Sequence, residues 1–386
     1  MLYPRRFRAG LQWFARLAWF TGLLLPVACS RPGVPGSSSA SSPASRGATA
    51  PEYAITPIPL AGPLSEAKAE VSGLAWYYDS LDKQDYLILL PQSAGRDTTA
   101  PNNLLFALPR QDLADYLAGK RKDSLRPLPI RLEAPGLKER TEGFEGYEAI
   151  AFAGRRAFLT VEAGEQERMR GYVVTGPMPQ GLRSRPGEAV LRIDTARRPL
   201  IGPRAPLKNM AEEALLVVDG RVVSFYEANG KWLNTTETPA PMAHTFSLDL
   251  VPGATLPMPT LEYRITDATE PDAQNRFWVI NYLYKGDWEL FFKQEADLGP
   301  SLRQEPLAAK YGQGAKHAST LGVERLVELQ YTPTGITLTD TPPVQLQLDT
   351  AARNWEGVVR WGENGFVLVT DGFPTTILGV VQVNKR

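Results

Sequence analysis

The chain has 386 residues but one cysteine and two histidines. One cysteine allows no disulfide framework and no thiolate metal site. His244 and His317 are too few for a histidine-based zinc centre. No glycine-flanked serine elbow is present, and neither histidine stands in a recognisable pattern with a serine and an acid, which argues against triad chemistry. No glycine-rich phosphate loop precedes a helix. Positive charge is never concentrated: the longest basic block is Lys120-Arg121-Lys122, so nucleic acid is not an expected partner. Helical periodicity is also scarce, with no apolar helical pattern longer than 111–122.

The beginning of the chain is distinct from the rest. Arg5, Arg6, Arg8 and Arg16 precede an apolar run from Leu17 to Ala28. That run is too short to span a bilayer and suits a secretory signal. It ends Leu24-Leu25-Pro26-Val27-Ala28-Cys29, with the sole cysteine where a bacterial lipoprotein signal needs it. Residues 1–28 are therefore expected to be a lipoprotein-type signal and Cys29 a lipidation site. Residues 29–51 read as a Ser/Ala/Pro-rich tether, and 52–386 as the folded domain. The expected setting is extracytoplasmic, anchored to a membrane by lipid on Cys29, as a monomer. Removing 1–28 takes four arginines and no acid from 42 basic and 42 acidic side chains, so the remainder is slightly acidic.

What the rest contains is strands. Runs of Val, Ile, Leu, Phe, Tyr and Trp bounded by Gly, Pro, Asn and Asp recur throughout. They group in fours: 73–78, 86–90, 103–108 and 129–133; then 149–153, 157–162, 170–176 and 189–193; then 214–218, 222–227, 243–250 and 261–265. A fourth group, 266–269, 277–282, 325–331 and 335–348, carries a long polar insertion. The last has three strands, 356–361, 366–371 and 376–383, and residues 53–60 are expected to supply its fourth. Its two prolines suit an outermost strand. Repeated four-stranded units are the signature of a β-propeller, so the fold class is all-β, with five blades. A sixth, degenerate blade between 267 and 356 is the variant reading. A β-sandwich or two smaller β domains are the alternatives.

The blade openings align, placing Ser72, Glu148, Glu213, Asp267 and Glu356 at one position. The ends of the second strands add Glu162, Glu227, Asn281 and Asp371. An antiparallel pair sets the start of its first strand beside the end of its second, so a ring of hairpins brings these residues to one mouth. Seven carboxylates there raise one another's pKa unless basic neighbours or a cation compensate. Arg140, Lys208 and Arg353 each precede an opening by a few residues. Oxygen-only ligands suit Ca²⁺ first and Mg²⁺ or Mn²⁺ second. The metal candidates are Glu148, Glu213, Asp267, Glu356, Asp371 and Asn281. Hydrogen bonding to a neighbouring blade's backbone is the alternative role for each acid. Trp76, Trp232, Trp278, Trp288, Trp355 and Trp361 fall at period-two positions that suit core packing better than a stacking surface.

Several phrases resemble the phytase-like propeller domain also described as esterase-like, found in secreted and lipid-anchored bacterial proteins. They are Gly143-Phe144-Glu145-Gly146-Tyr147-Glu148-Ala149-Ile150, Glu212-Glu213-Ala214-Leu215 with Phe225-Tyr226-Glu227-Ala228-Asn229-Gly230, Arg264-Ile265-Thr266-Asp267, and Arg353-Asn354-Trp355-Glu356-Gly357 with Leu368-Val369-Thr370-Asp371. The resemblance spans roughly 66–383. It implies Ca²⁺ and hydrolysis of a small anionic ester, phosphoester or carboxyl ester, although no lysine- and arginine-rich phosphate cleft is evident. On this reading Glu162 or Glu227 is the general base, and Arg353 or Lys208 neutralises the leaving group. The alternative is a non-catalytic surface-binding scaffold with a structural cation. A hydrolase should show surplus acids facing a basic residue, whereas a scaffold should satisfy each acid with backbone donors.

Overall fold

The computed structural model describes residues 49–383 except 66–68, 95–102, 166–167, 202–206, 208–209, 234–239, 288–301, 303, 349–351 and 373–374. The expected leader, Cys29 and Lys208 lie outside the described residues. So do all but the last three residues of the expected tether.

Five sheets form, each with its earliest long strand innermost. Blade 1 is built on Val71–Asp79, Gln84–Pro91, Leu104–Pro109 and Leu128–Glu133. Blade 2 is built on Phe144–Ala153, Arg156–Glu165 and Arg168–Pro177. Blade 3 has Glu212–Val218, Arg221–Tyr226 and Met242–Ser247. Blade 4 has Arg264–Ala268, Arg276–Leu283 and Val323–Thr332. Blade 5 has Trp355–Trp361, Gly365–Thr370 and Leu378–Gln382. Each innermost strand touches those of the two neighbouring blades, and blade 5 returns to blade 1. The fold is an all-β, five-bladed propeller, and the described residues between 267 and 356 form no sixth blade.

The hydrophobic core follows the ring. A sheet covered on both faces needs continuous apolar strands rather than alternating ones, and Leu87, Ile88, Leu89 and Leu90 are all fully buried. Each pair of adjacent blades encloses its own cluster. Ile88 and Leu159 join blades 1 and 2, Phe158 and Val222 blades 2 and 3, and Phe225 and Phe277 blades 3 and 4. Ile280 and Leu368 join blades 4 and 5, and Leu89 and Val367 blades 5 and 1. Trp355 is fully buried, which bears out the core reading for it.

The outer edges differ from expectation in three places. Val190–Arg192, expected as the fourth strand of blade 2, pairs in parallel with Leu128–Glu133 of blade 1. Blade 2 is instead completed by Leu200–Ile201, and blade 3 by Leu256–Pro257 rather than 261–265. Residues 264–265 already belong to the inner strand of blade 4. Two-residue edge strands carry no readable periodicity, which is why the pattern passed over them.

Ring closure occurs as expected, with Ile55–Ile58 antiparallel to Leu378–Gln382. The segment reaches further than one blade, however. Thr49 bridges Gln313, Glu52–Tyr53 pairs in parallel with Val344–Leu346 of blade 4, and Leu60 bridges Leu125 beside blade 1. Helices are short, the longest described being Arg110–Leu117. No described helix is long and apolar enough to cross a membrane.

Candidate functional site: an acidic channel mouth

In all five blades the pairing of the first two strands slips at the same point. The register shifts lie between Val71 and Gly73, Tyr147 and Ile150, Glu212 and Ala214, Ile265 and Ala268, and Trp355 and Gly357. The residues inside those shifts include Ser72, Glu148, Glu213, Asp267 and Glu356, the aligned openings. A bulge inserts one unpaired residue and re-aims its side chain; in four of the five blades the re-aimed residue, Ser72, Glu148, Glu213 or Glu356, lines the mouth. The displaced backbone is satisfied locally: the Ala149 amide donates to Thr160 Oγ1 at 2.9 Å.

The result is a cavity of about 230 Å³, lined almost wholly by polar groups from every blade. Blade 1 gives Glu70, Ser72 and Gln92, blade 2 Glu148 and Glu162, and blade 3 Glu213 and Glu227. Blade 4 gives Arg264, and blade 5 Asn354, Glu356 and Asp371. Seven carboxylates thus face one guanidinium. Carboxylate oxygens of Glu148, Glu162 and Glu213 all lie within 4.8 Å of one another. These three and Glu227 are between 1 % and 8 % exposed, so they have little water to spread their charge.

Burial is the largest influence on Glu148, Glu162, Glu213, Glu227 and Glu356. It raises Glu148 well above the usual carboxylate range, with Glu162 and Glu356 adding to the rise and Gln92 Nε2 opposing it at 2.7 Å. Glu213 is also held well above that range by burial, then by the charges of Glu148, Glu227, Glu162 and Glu356. Glu356 rises through burial and the neighbouring Asp371 and Glu227. Glu162 and Glu227 are pushed up to about 7 by burial, against the pull of Glu148's hydrogen bond and of Arg264 respectively. At neutral pH the mouth therefore retains protons, or a cation takes their place.

Arg264 is held by two acids. Its Nη1 donates to Glu227 Oε1 at 2.5 Å, and its Nε and Nη2 meet the Asp287 carboxylate at 3.0 and 3.1 Å. Two buried oxygens on the cavity wall, Ser72 Oγ and Glu227 Oε2, have no hydrogen-bond partner among the described residues. Gly146 makes room for the wall, since a Cβ there would lie 2.4 Å from the Gln92 carbonyl oxygen. Glu70, a non-glycine at φ 44°, brings its side chain to the rim from a left-handed backbone.

Of the residues expected at the mouth, Ser72, Glu148, Glu162, Glu213, Glu227, Glu356 and Asp371 converge there. Asp267 does not line the cavity. Its Oδ2 accepts from the Val358 amide of blade 5 at 2.7 Å, and burial lifts its carboxyl well above the usual range against the pull of the Val358, Ala268 and Leu74 amides. It ties blades together, as the backbone-acceptor alternative foresaw. Asn281 also lies off the mouth, donating to the Glu262 and Arg264 carbonyls and accepting from buried Arg325 Nε at 2.8 Å. Arg353 is drawn to the buried Glu324 carboxylate at 2.7 Å, which Trp355 Nε1 also approaches at 3.0 Å. Arg140 lines a separate recess with Arg197 and Arg198. Sequence reasoning missed Glu70, Gln92 and Asn354, and above all Arg264.

No protein-family model and no curated protein matches this chain. Solved structures with a related course of the chain include an α-L-arabinanase of Cellvibrio cellulosa, 10% identical over 83% of this chain and 93% of the other, with a TM-score of 0.43. The catalytic domain of a GH62 α-L-arabinofuranosidase from Coprinopsis cinerea is 10% identical over 86% of this chain and 96% of its own, with a TM-score of 0.41. A GH43_1 enzyme from Xanthomonas citri is 8% identical over 83% and 90%, with a TM-score of 0.40.

Proposed function

We propose that the mouth binds one divalent cation, Ca²⁺ first and Mg²⁺ or Mn²⁺ second, and hydrolyses a small anionic ester there, a phosphoester of the phytase-like kind. The observation that carries this reading is the pair of buried, unpartnered oxygens, Ser72 Oγ and Glu227 Oε2, on the wall of a carboxylate-ringed cavity. Asp267 Oδ1, off the cavity, is another buried oxygen without a partner among the described residues, so it is the position of Ser72 Oγ and Glu227 Oε2 on the cavity wall that points to a ligand. Buried oxygens without partners are costly unless a ligand completes them. The donor set is all oxygen, which fits a hard cation. Glu148, Glu162 and Glu213 would hold it, with Glu356 and Asp371 on the same wall.

A cation held there would supply polarisation of an ester oxygen and a lowered pKa for a bound water. Glu227, raised to about 7 and carrying an unpartnered oxygen, is suited to take a proton from the attacking water. Arg264, fixed by Asp287, takes the charge-neutralising role first given to Arg353 and Lys208. Gln92 and Asn354 orient Glu148 and Glu356 by hydrogen bonds. The leader sequence adds the setting: a lipoprotein held to a membrane outside the cytoplasm through Cys29. Labelling cells with a fatty-acid analogue should mark the wild type and not Cys29→Ser, and label retained in the variant rejects anchoring.

The enzymatic test is hydrolysis of p-nitrophenyl phosphate, bis(p-nitrophenyl) phosphate and p-nitrophenyl acetate by the purified protein with Ca²⁺, Mg²⁺, Mn²⁺ or chelator. Cation-dependent release of nitrophenol is expected, with Glu227→Gln losing turnover but retaining Ca²⁺ binding. If Ca²⁺ binds and none of the three esters is cleaved, the scaffold role replaces the hydrolase. If no cation binds, the site assignment itself fails.

A further inference from the structure

Blades 4 and 5 part at the ends of their strands remote from the acidic mouth, leaving a second cavity of about 630 Å³. Its floor is aromatic: Trp278 and Phe366 meet edge to face with ring centroids 5.3 Å apart. Its walls carry charges of both signs. Arg276 Nε donates to Asp272 Oδ2 at 3.0 Å. Arg360 Nη2 donates to the Arg276 carbonyl at 2.8 Å, yet its buried Nε has no partner among the described residues. The Thr339 and Thr341 hydroxyls both donate to one oxygen of Glu328, Oε2.

These features narrow the ligand. The volume falls within the range of small-molecule sites, roughly 300–1,000 Å³. Asp272 and Glu328 repel a strong anion, and Arg276 and Arg360 repel a cation. A hydroxyl both donates and accepts, so vicinal hydroxyls answer a guanidinium N–H and a carboxylate oxygen together. The C–H faces of a saturated ring suit an aromatic floor.

We propose that this cleft binds a neutral polyhydroxylated ring, one or two sugar units, over Trp278 and Phe366, with hydroxyls between Arg360 and Glu328. The site is separate from the acidic mouth and does not rest on its cation or its catalysis.

The test is saturation-transfer NMR on the full chain with maltose, cellobiose and lactose, in chelator and again in excess Ca²⁺. Benzoate and methyl phosphate are the contrasting anions, both with carbon-bound protons that the experiment reads. Transfer to at least one disaccharide is expected at millimolar concentration, equal in both buffers, with weaker transfer to both anions. Arg360→Lys should weaken binding about tenfold, the loss of one charged hydrogen bond. Asn364→Trp, on the rim turn, should block the cleft with an unchanged melting temperature. Transfer to no disaccharide, preference for an anion, or undiminished transfer in a folded Asn364→Trp protein each overturns the proposal.

Discussion

Replacing Glu148 and Glu213 together by glutamine removes two charges at nearly constant shape. The oxygens of Glu148, Glu162 and Glu213 lie within 4.8 Å of one another. Two unit charges at that distance repel by about 3.5 kcal/mol at an effective dielectric near 20. Three such pairs reach roughly 10 kcal/mol, the size of a whole domain's stability, so full ionisation without a cation is untenable. A carboxyl raised from 4.5 to about 7, as Glu162 is, binds more protons folded than unfolded across that interval. Stability in chelator should then fall as pH rises from about 4.5 to 7, by roughly 3 kcal/mol for one such group. Ca²⁺ at a hundredfold excess over Kd returns about 2.7 kcal/mol, a few degrees in melting temperature. Calorimetric melting from pH 5 to 8, in chelator and in Ca²⁺, checks this. The wild type should lose stability with pH in chelator and recover it with Ca²⁺. The double variant should show a shallower fall, little response to Ca²⁺, and equal or greater stability in chelator at pH 8. A wild type indifferent to chelator at every pH, beside a double variant that is simply weaker, refutes the reasoning and makes these acids structural acceptors.

Arg264→Gln strands Glu227 and Asp287 without their cation, and a loss of about 3–5 kcal/mol is expected in urea unfolding, partly recovered by Arg264→Lys. Gly146→Ala forces a methyl to within 2.4 Å of the Gln92 carbonyl. It should cost about 1–3 kcal/mol and weaken Ca²⁺ binding measured by calorimetry, because Gln92 steadies Glu148. Deleting 49–61 uncovers the edge strand Leu378–Gln382, and size-exclusion chromatography should show self-association of a destabilised ring.

The inner blades were legible because wedging between two neighbours demands uninterrupted apolar strands, and few other folds repeat that demand five times. The acids were legible for a related reason: the bulge holds one residue out of the ladder, so a polar side chain recurs at the same place in an apolar run. The cation was not. Arg264 and Arg353 each stand three residues before an aligned acid, Asp267 and Glu356, and spacing cannot rank them. The choice is made by Glu324, on the third strand of blade 4, which captures Arg353. Asp267 was misplaced for a similar reason, since the Val358 amide that engages it belongs to another blade. Local pattern reports on a strand and its hairpin partner; it is silent about which distant group reaches a side chain first.

The clasp that closes the ring has a consequence for how the molecule is made. Ile55 pairs with Val381, so a strand from the start of the domain waits for nearly the end of the chain. Four blades can form as local hairpins while the chain emerges, but blade 5 remains a three-stranded sheet until both ends meet. Such distant pairings are slow to find and leave an unpaired strand edge exposed meanwhile. A circular permutant that opens the chain in a surface turn within a blade, with a linker joining the present ends, would make that pairing a near-neighbour event. It should fold faster than the natural order while reaching the same ring.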